Sequence, residues 1–393
     1  YMKNAMINLI TRTPLSRKII PQIISNKDNI IVNFCIALKS NGINVDLFIS
    51  DAYKPVIEES LDIKTIYLKT LLKRIFLPSR LPFVPSLFLY LRNKYDNVIC
   101  VEAFQWSTVI AVVAKLFSFR RKMSIYVLQE LSRHNKYLLE IPSRIYYGPI
   151  LKYLLDKHIR LYIPFSERSR NFLLANGIKK EKIGKTISHG YNHNVFFPEN
   201  TINESENYIF APLILINVKG VDTLLKAFSI VRKQNPDVEL IIQGDGPEFN
   251  NYEDMARNLN ILEKVKFNRE RVSHDKMRTL YNRALITVIP SRKELCNLSL
   301  RESIACGTPV IVSDGTDNFS IFDDGKGGLI FKKDDYVQLS ELITKMIGDH
   351  EYRKAMRKWA LKKAEMFTQE SISKLFAEMV FYNNEKLDGE GEK

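Results

Sequence analysis

Short apolar runs alternate with amphipathic helical stretches along this chain, and the pattern stops near the middle and starts again. Residues 6–10 form an apolar run suited to a buried parallel strand. Residues 30–40 then carry apolar side chains at helical spacing until Asn41-Gly42 stops them. Strands are expected at 45–49, 97–101 and 124–128. The second series has strands at 207–210, 238–243, 264–267, 286–290 and 309–313, with a helix at 221–234. This alternation predicts an α/β fold with a parallel, doubly wound sheet, and its repetition predicts two such domains. The length of 393 residues fits two domains of ordinary size. Polar residues 198–207 read as the linker, so the expected domains are 1–198 and 199–368, followed by a terminal helix and polar tail at 369–393.

Composition narrows the class. Hydrophobic residues make up 45% and charged residues 26%, which excludes a disordered chain, a collagen-like repeat and a small disulfide scaffold. The most apolar stretch, 104–119, carries Gln105 and Lys115 and is not a transmembrane helix by pattern. No signal peptide pattern opens the chain. Cys35, Cys100, Cys296 and Cys306 show no paired spacing and sit among apolar neighbours. They read as reduced core thiols of a cytoplasmic protein.

The net charge of +14 is unevenly spread. Residues 1–200 hold 30 Lys and Arg against 14 Asp and Glu, and the remainder holds 28 against 30. A basic half joined to a near-neutral half points to one domain facing an anionic surface or substrate, with no nucleic acid partner expected. In residues 68–95, Leu68, Leu71, Leu72, Ile75 and Phe76 recur at helical spacing. Lys69, Lys73, Arg74 and Arg80 lie among them, and Phe83, Phe88 and Tyr90 follow. The stretch suits either an interfacial helix on anionic lipid or a core-facing helix with a basic outer face.

The densest chemistry lies in residues 290–312. A strand ends at Pro290, a turn carries Glu294, a helix runs through Glu302 towards Gly307, and Thr308-Pro309 launches the next strand. A helix start in a strand–helix crevice is an anion site, because its free amides point outward. Glu294 in the turn can reach a ligand held there, and Glu302 can accept hydrogen bonds from sugar hydroxyls. By position alone, the two are equally compatible with solvent-facing glutamates.

The segment resembles the signature of the retaining glycosyltransferases of family 4 (glycosyl transferases group 1). In that family two glutamates, separated by seven residues, precede a Cys-Gly-Thr-Pro-Val stretch, and Glu294, Glu302 and residues 306–310 match this order. Residues 219–228, starting at Lys219-Gly220, resemble its lysine-glycine helix start. Residues 240–247 resemble its strand and Gly-Asp-Gly-Pro turn. Residues 272–281 resemble the helix before the signature, and 188–198 the motif at the end of the first domain. The resemblance covers 160–370 well and the first 160 residues loosely.

That resemblance implies the GT-B fold, two Rossmann-like domains facing each other across a cleft, with the last helix crossing back to the first domain. It implies a glycosyltransferase that moves a sugar from a nucleotide diphosphate sugar to a glycan or lipid-linked acceptor. The process would be cell-surface polysaccharide or glycolipid assembly, without a metal or other cofactor. Glu302 would hold the donor ribose. Glu294, the catalytic candidate, would contact the sugar near the amides of Cys296, Asn297 and Leu298. Lys219, beside Gly220, would pair with the diphosphate, where a positioned cation stabilises the charge on a departing group. Acceptor-side candidates are Arg12, Gln129, Glu130 and His134. Two departures stand out: Ala211-Pro212-Leu213 replaces the family's Gly-Arg-Leu, and the loop 11–17 contains no glycine. They leave two rivals, a non-catalytic GT-B-like scaffold and a nucleotide-sugar epimerase. The expected location is cytoplasmic, with a possible peripheral place on the inner membrane face.

Overall fold

The computed structural model describes residues 2–9, 29–55, 61–74, 81–119, 122–130, 140–199, 206–293, 298–316 and 319–382. These form two units, one of residues 1–188 with 372 onward, the other of residues 189–371. Residues 189–198, on the first side of the expected linker, thus pack with the second unit. The Tyr191 amide donates to the Phe367 carbonyl at 2.9 Å, and the Glu199 amide to Asn282 Oδ1 at 2.9 Å.

The first unit is built on β1 (Asn4–Ile7), β2 (Val45–Ser50), β3 (Thr65–Leu68), β4 (Asn97–Val101), β5 (Ser124–Gln129) and β6 (Ile159–Pro164). All pair in parallel, in the order β3-β2-β1-β4-β5-β6. Its helices are α1 (Ile30–Ser40), α2 (Leu87–Leu91), α3 (Trp106–Leu116), α4 (Glu140–Ile145), which runs into a π-helical turn at Tyr146–Leu155, and α5 (Glu167–Ala175). Asn29 starts α1 by accepting from the amides of Ile31 and Val32 at 2.9 and 3.3 Å. Gly42, at φ +80°, ends it.

β1 begins two residues earlier than the apolar run. Asn4 is drawn into the sheet because its Nδ2 donates to the Asn44 carbonyl and its Oδ1 accepts from Asn97 Nδ2. The helix expected through residues 68–76 does not form where the chain is described. Residues up to Leu68 pair as β3 with β2, Leu71 bridges antiparallel to Phe83, and Leu72 takes a φ of +51°. β-Branched Thr65 and Ile66 and an open sheet edge outweigh the helical spacing. Ile75, Phe76 and Arg80 lie outside the described residues.

The second unit has β7 (Tyr208–Pro212), β8 (Glu239–Gln243), β9 (Val265–Asn268), β10 (Ile286–Ile289), β11 (Val310–Ser313) and β12 (Gly328–Phe331). They form a parallel sheet in the order β12-β11-β10-β7-β8-β9. The helices are α6 (Val221–Gln234), α7 (Phe249–Asn258), α8 (His274–Arg283), α9 (Leu298–Ala305), α10 (Tyr336–Gly348) and α11 (His350–Ala364). Leu224, Phe228 and Val231 of α6 are fully buried with Ile209, Leu240 and Val288 of the strands. Removing such apolar surface from water is the main stabilising term, at about 25 cal/mol per Å².

The last helix, α12 (Gln369–Ala377), begins in the second unit and passes into the first from Ile372. Within the first unit Phe376 meets Phe34 of α1 edge-on at 5.2 Å, Ser373 accepts from Asn41 Nδ2 at 2.8 Å, and the Val380 carbonyl accepts from Tyr126 at 3.1 Å. Cys35, Cys100 and Cys306 are buried and unbridged, and burial pushes the first two thiols up to about 12. Cys296 lies outside the described residues.

Candidate functional site

In a doubly wound sheet the chain leaves the strands on both sides of one central point, and the loops beyond the carboxyl ends part there to leave a crevice. In the second unit that point falls between β7 and β10. The loop after β7 carries Lys219 and Gly220, and the loop after β10 carries Arg292 and leads into α9 with Leu298 and Glu302.

Lys219 ends a 3₁₀ turn, Asn217–Lys219, and Gly220 follows at φ +67°. A Cβ at Gly220 would stand 2.1 Å from the Pro290 carbonyl oxygen, so only glycine lets the two loops approach this closely. Gly244 and Gly246 bring the β8 loop equally close to the carbonyls of Leu213 and Leu215. The sequence thus places glycine where loop backbones meet along the carboxyl edge.

Glu302 sits in the second turn of α9, partly buried. Its Oε2 accepts from the Tyr281 hydroxyl of α8 at 2.9 Å. Burial pushes its carboxyl up to about 7, against the Tyr281 hydrogen bond and the Arg301 charge, which pull it down. Arg301 beside it is buried, its guanidinium 5.4 Å over the ring of Phe367. Leu298 opens α9. Glu294, Cys296 and Asn297 lie outside the described residues, as do Arg12 and His134.

Arg292 escaped the sequence reading, since nothing marks one arginine in a turn as special. Its Nη2 donates to Asp222 Oδ2 and its Nε to Asp334 Oδ1, both at 2.6 Å, and its Nη1 to the Asn217 carbonyl at 2.5 Å. Its backbone amide donates to the Val218 carbonyl at 2.8 Å. The bond to Asp222 raises the guanidinium's affinity for its proton. Burial alone would raise the Asp222 carboxyl, but Arg292 holds it below the usual carboxylate range. Asp334 thus serves this cluster, and Asp335 caps α10 by accepting from the Gln338 amide at 2.9 Å.

In the first unit the central point lies between β1 and β4. Glu102, just past β4, is 9% exposed and takes a φ of +72°, rare for a residue other than glycine. Its carboxylate accepts from Gln129 Nε2 at 3.0 Å and from the Glu130 amide at 2.8 Å. Gln129 is fully buried. Its Oε1 accepts from the Ala103 amide and its Nε2 also donates to Tyr147. Of the two acceptor-side candidates described, Gln129 therefore braces the loop from within and Glu130 stands at its partly exposed end.

Comparison with known proteins agrees with this geometry. Residues 192–363 match the family model for Glycosyl transferases group 1. A D-inositol 3-phosphate glycosyltransferase of Corynebacterium kroppenstedtii is 30% identical over 164 residues, which are 40% of this chain and 36% of that protein. An N-acetyl-alpha-D-glucosaminyl L-malate synthase of Bacillus anthracis is 25% identical over 54% of this chain and 57% of its own length. The chain therefore matches less than two thirds of each relative. Among solved structures, a sucrose-phosphate synthase of Thermosynechococcus elongatus superposes with a TM-score of 0.71 at 18% identity, over 99% of this chain and 100% of that one. An Anabaena protein crystallised with UDP and glucose gives 0.66 at 14% identity, over 96% and 99%. Residues 192–363 of this chain are thus similar to the glycosyl transferases group 1 family, within a protein of the two-unit GT-B fold.

Proposed function

We propose that this protein is a retaining glycosyltransferase of family 4. It moves a sugar from a nucleotide diphosphate sugar to a glycan or lipid-linked acceptor in cell-surface polysaccharide or glycolipid assembly. One observation carries the reading: Lys219-Gly220 on one side and Arg292 and Glu302 on the other flank the central crevice of one parallel sheet, where such folds bind nucleotides. Glu302 accepts from the ribose hydroxyls. Lys219 faces the diphosphate and, with the helix start at α9, offsets the charge that develops as the diphosphate departs, without a metal. Glu294 contacts the transferred sugar, beside the amides of Cys296 and Asn297. Glu130 faces the acceptor, and Arg12 and His134 remain candidates there. The group 1 similarity and the UDP and glucose held by the Anabaena protein support the donor class.

The basic first unit takes this chemistry to an anionic membrane surface on the cytoplasmic face. Leu89, Leu116, Phe117 and Phe119 are each at least half exposed. Exposed Arg92 and Lys94 follow Leu89 in the chain, and Arg92 Nε donates to the Phe117 carbonyl at 3.0 Å.

The test is a thermal-shift screen of UDP-, GDP-, ADP- and CMP-sugars, followed by turnover and by NMR of the product's anomeric configuration, because a ligand bound to the folded state raises its midpoint. A shift with one donor and a product of retained configuration are expected. Inversion would reject the retaining mechanism. Binding without turnover would favour a scaffold, and free sugar released without acceptor an epimerase.

A further inference from the structure

We propose that Arg292 is a positioning residue for the donor diphosphate: it ties together the three loops around Lys219 and does not itself touch phosphate. The inference rests on the donor reading of this crevice and names the part that fixes its phosphate end.

Four hydrogen bonds carry the argument. The guanidinium reaches the Asn217 carbonyl and Asp222, on the two sides of Lys219, and Asp334 in the loop after β12. The amide of the same residue holds the Val218 carbonyl, one position before Lys219. Lys219 therefore sits in a turn whose both flanks are fastened to a single side chain from across the central crevice. A planar fork with five donors suits this task, and a lysine does not reproduce it.

The charges of the cluster explain why Arg292 is not the phosphate ligand. Two carboxylates, Asp222 and Asp334, stand at 2.6 Å from its nitrogens and balance its charge. Its side chain is about one fifth exposed, turned into the loops. β7 itself ends in Ala211-Pro212, which brings no cation to the crevice. Gripping the diphosphate from this edge then depends on where Lys219 is held.

The experiment uses the full-length chain and direct titration with UDP, GDP and ADP and their parent nucleosides, continuing with the base that binds. Arg292→Met should weaken the nucleoside diphosphate about tenfold, the size of a misplaced charge-assisted contact, and the nucleoside less than twofold. Arg292→Lys should lose nearly as much, because charge without the fork leaves the turn untied. A purely structural role predicts equal loss for both ligands, and that result, or no loss at all, would overturn the proposal. If Arg292→Met does not fold, Asp334→Asn removes one exposed arm of the cluster. It must then show the same diphosphate-selective loss at smaller size, and without that loss the proposal falls. A wild type that binds no nucleotide would instead refute the donor reading itself, and the positioning role with it.

Discussion

Tyr281 and Glu302 are joined by one hydrogen bond, hydroxyl to Oε2 at 2.9 Å, which links the end of α8 to the middle of α9. The bond stabilises the ionised carboxylate, while burial opposes ionisation more strongly, and the balance leaves Glu302 titrating near neutrality, at about 7.

This relationship sets a pH dependence. If the ionised carboxylate holds the ribose, nucleoside diphosphate affinity should rise with pH through about 7. The sign for the ligand-free protein is opposite. A carboxyl whose folded-state pKa is raised contributes stability that is fully present below its unfolded value and is lost as pH rises through about 7. The nucleotide-induced gain in Tm should therefore widen from pH 6 to pH 8. Tyr281→Phe removes a bond to the charged form and should move the binding transition to higher pH. Titrations at several pH values check this, and a flat affinity profile in the wild type would refute the ribose role in its ionised form.

The two signature glutamates should separate by ligand. Glu302→Ala should weaken nucleoside diphosphate binding by roughly ten- to hundredfold, the loss of a hydrogen bond to a charged acceptor, about 1.5–3 kcal/mol. Glu294→Ala should leave that binding nearly intact while sugar transfer falls by orders of magnitude. Calorimetric binding and turnover on the same preparations distinguish them, and equal loss of nucleotide in both variants contradicts the assignment.

Gly220→Ala adds a methyl group 2.1 Å from the Pro290 carbonyl and forces an L-residue into φ +67°. The backbone conformation alone costs about 1–2 kcal/mol, and relief of the overlap pushes the two loops apart. A fall in Tm of several degrees together with weakened nucleoside diphosphate binding is expected. An unshifted Tm would mean that the loops do not meet as described.

Binding to anionic vesicles should fall steeply with salt, since each Lys or Arg near such a surface contributes about 1 kcal/mol within a Debye length of about 8 Å. Replacing Arg92 and Lys94 by Gln, or Leu116 and Phe117 by Ser, should release the protein from phosphatidylserine-containing vesicles. Replacing Lys233 and Lys333 of the second unit should not. Sedimentation with neutral and anionic vesicles reads the difference, and equal partitioning to both lipids removes the electrostatic argument.

Much of the architecture was legible because a buried parallel strand is a short apolar run and its helix an amphipathic one. Helices at Ile30–Ser40 and Val221–Gln234 fall where their spacing puts them, and Asn97–Val101 is a strand from end to end. Three strands were not legible. β3 and β12 have four residues each, and β3 and β6 lie at sheet edges where the inward pattern is only half expressed. Residues 68–74 misled because apolar residues at helical spacing also arise when a strand ends and a turn begins. At the crevice, motif and chemistry singled out Glu302 and Lys219, and the structure places both beside the sheet's central point. Arg292, Tyr281 and Glu102 were not singled out, because their roles depend on partners 21 to 75 positions away, which folding alone brings within reach.

The passage of α12 into the first unit has a consequence for synthesis. Most domains finish folding in the order in which they leave the ribosome. Here residues 1–188 emerge first, yet Phe34, Asn41 and Tyr126 obtain their partners at Phe376, Ser373 and Val380 only when nearly the whole described chain has been made. The second unit, continuous from 189 to 371, is complete before them. The nascent chain thus carries an unfinished basic unit behind which the second unit is finished, and Phe376 is among the residues that complete the first.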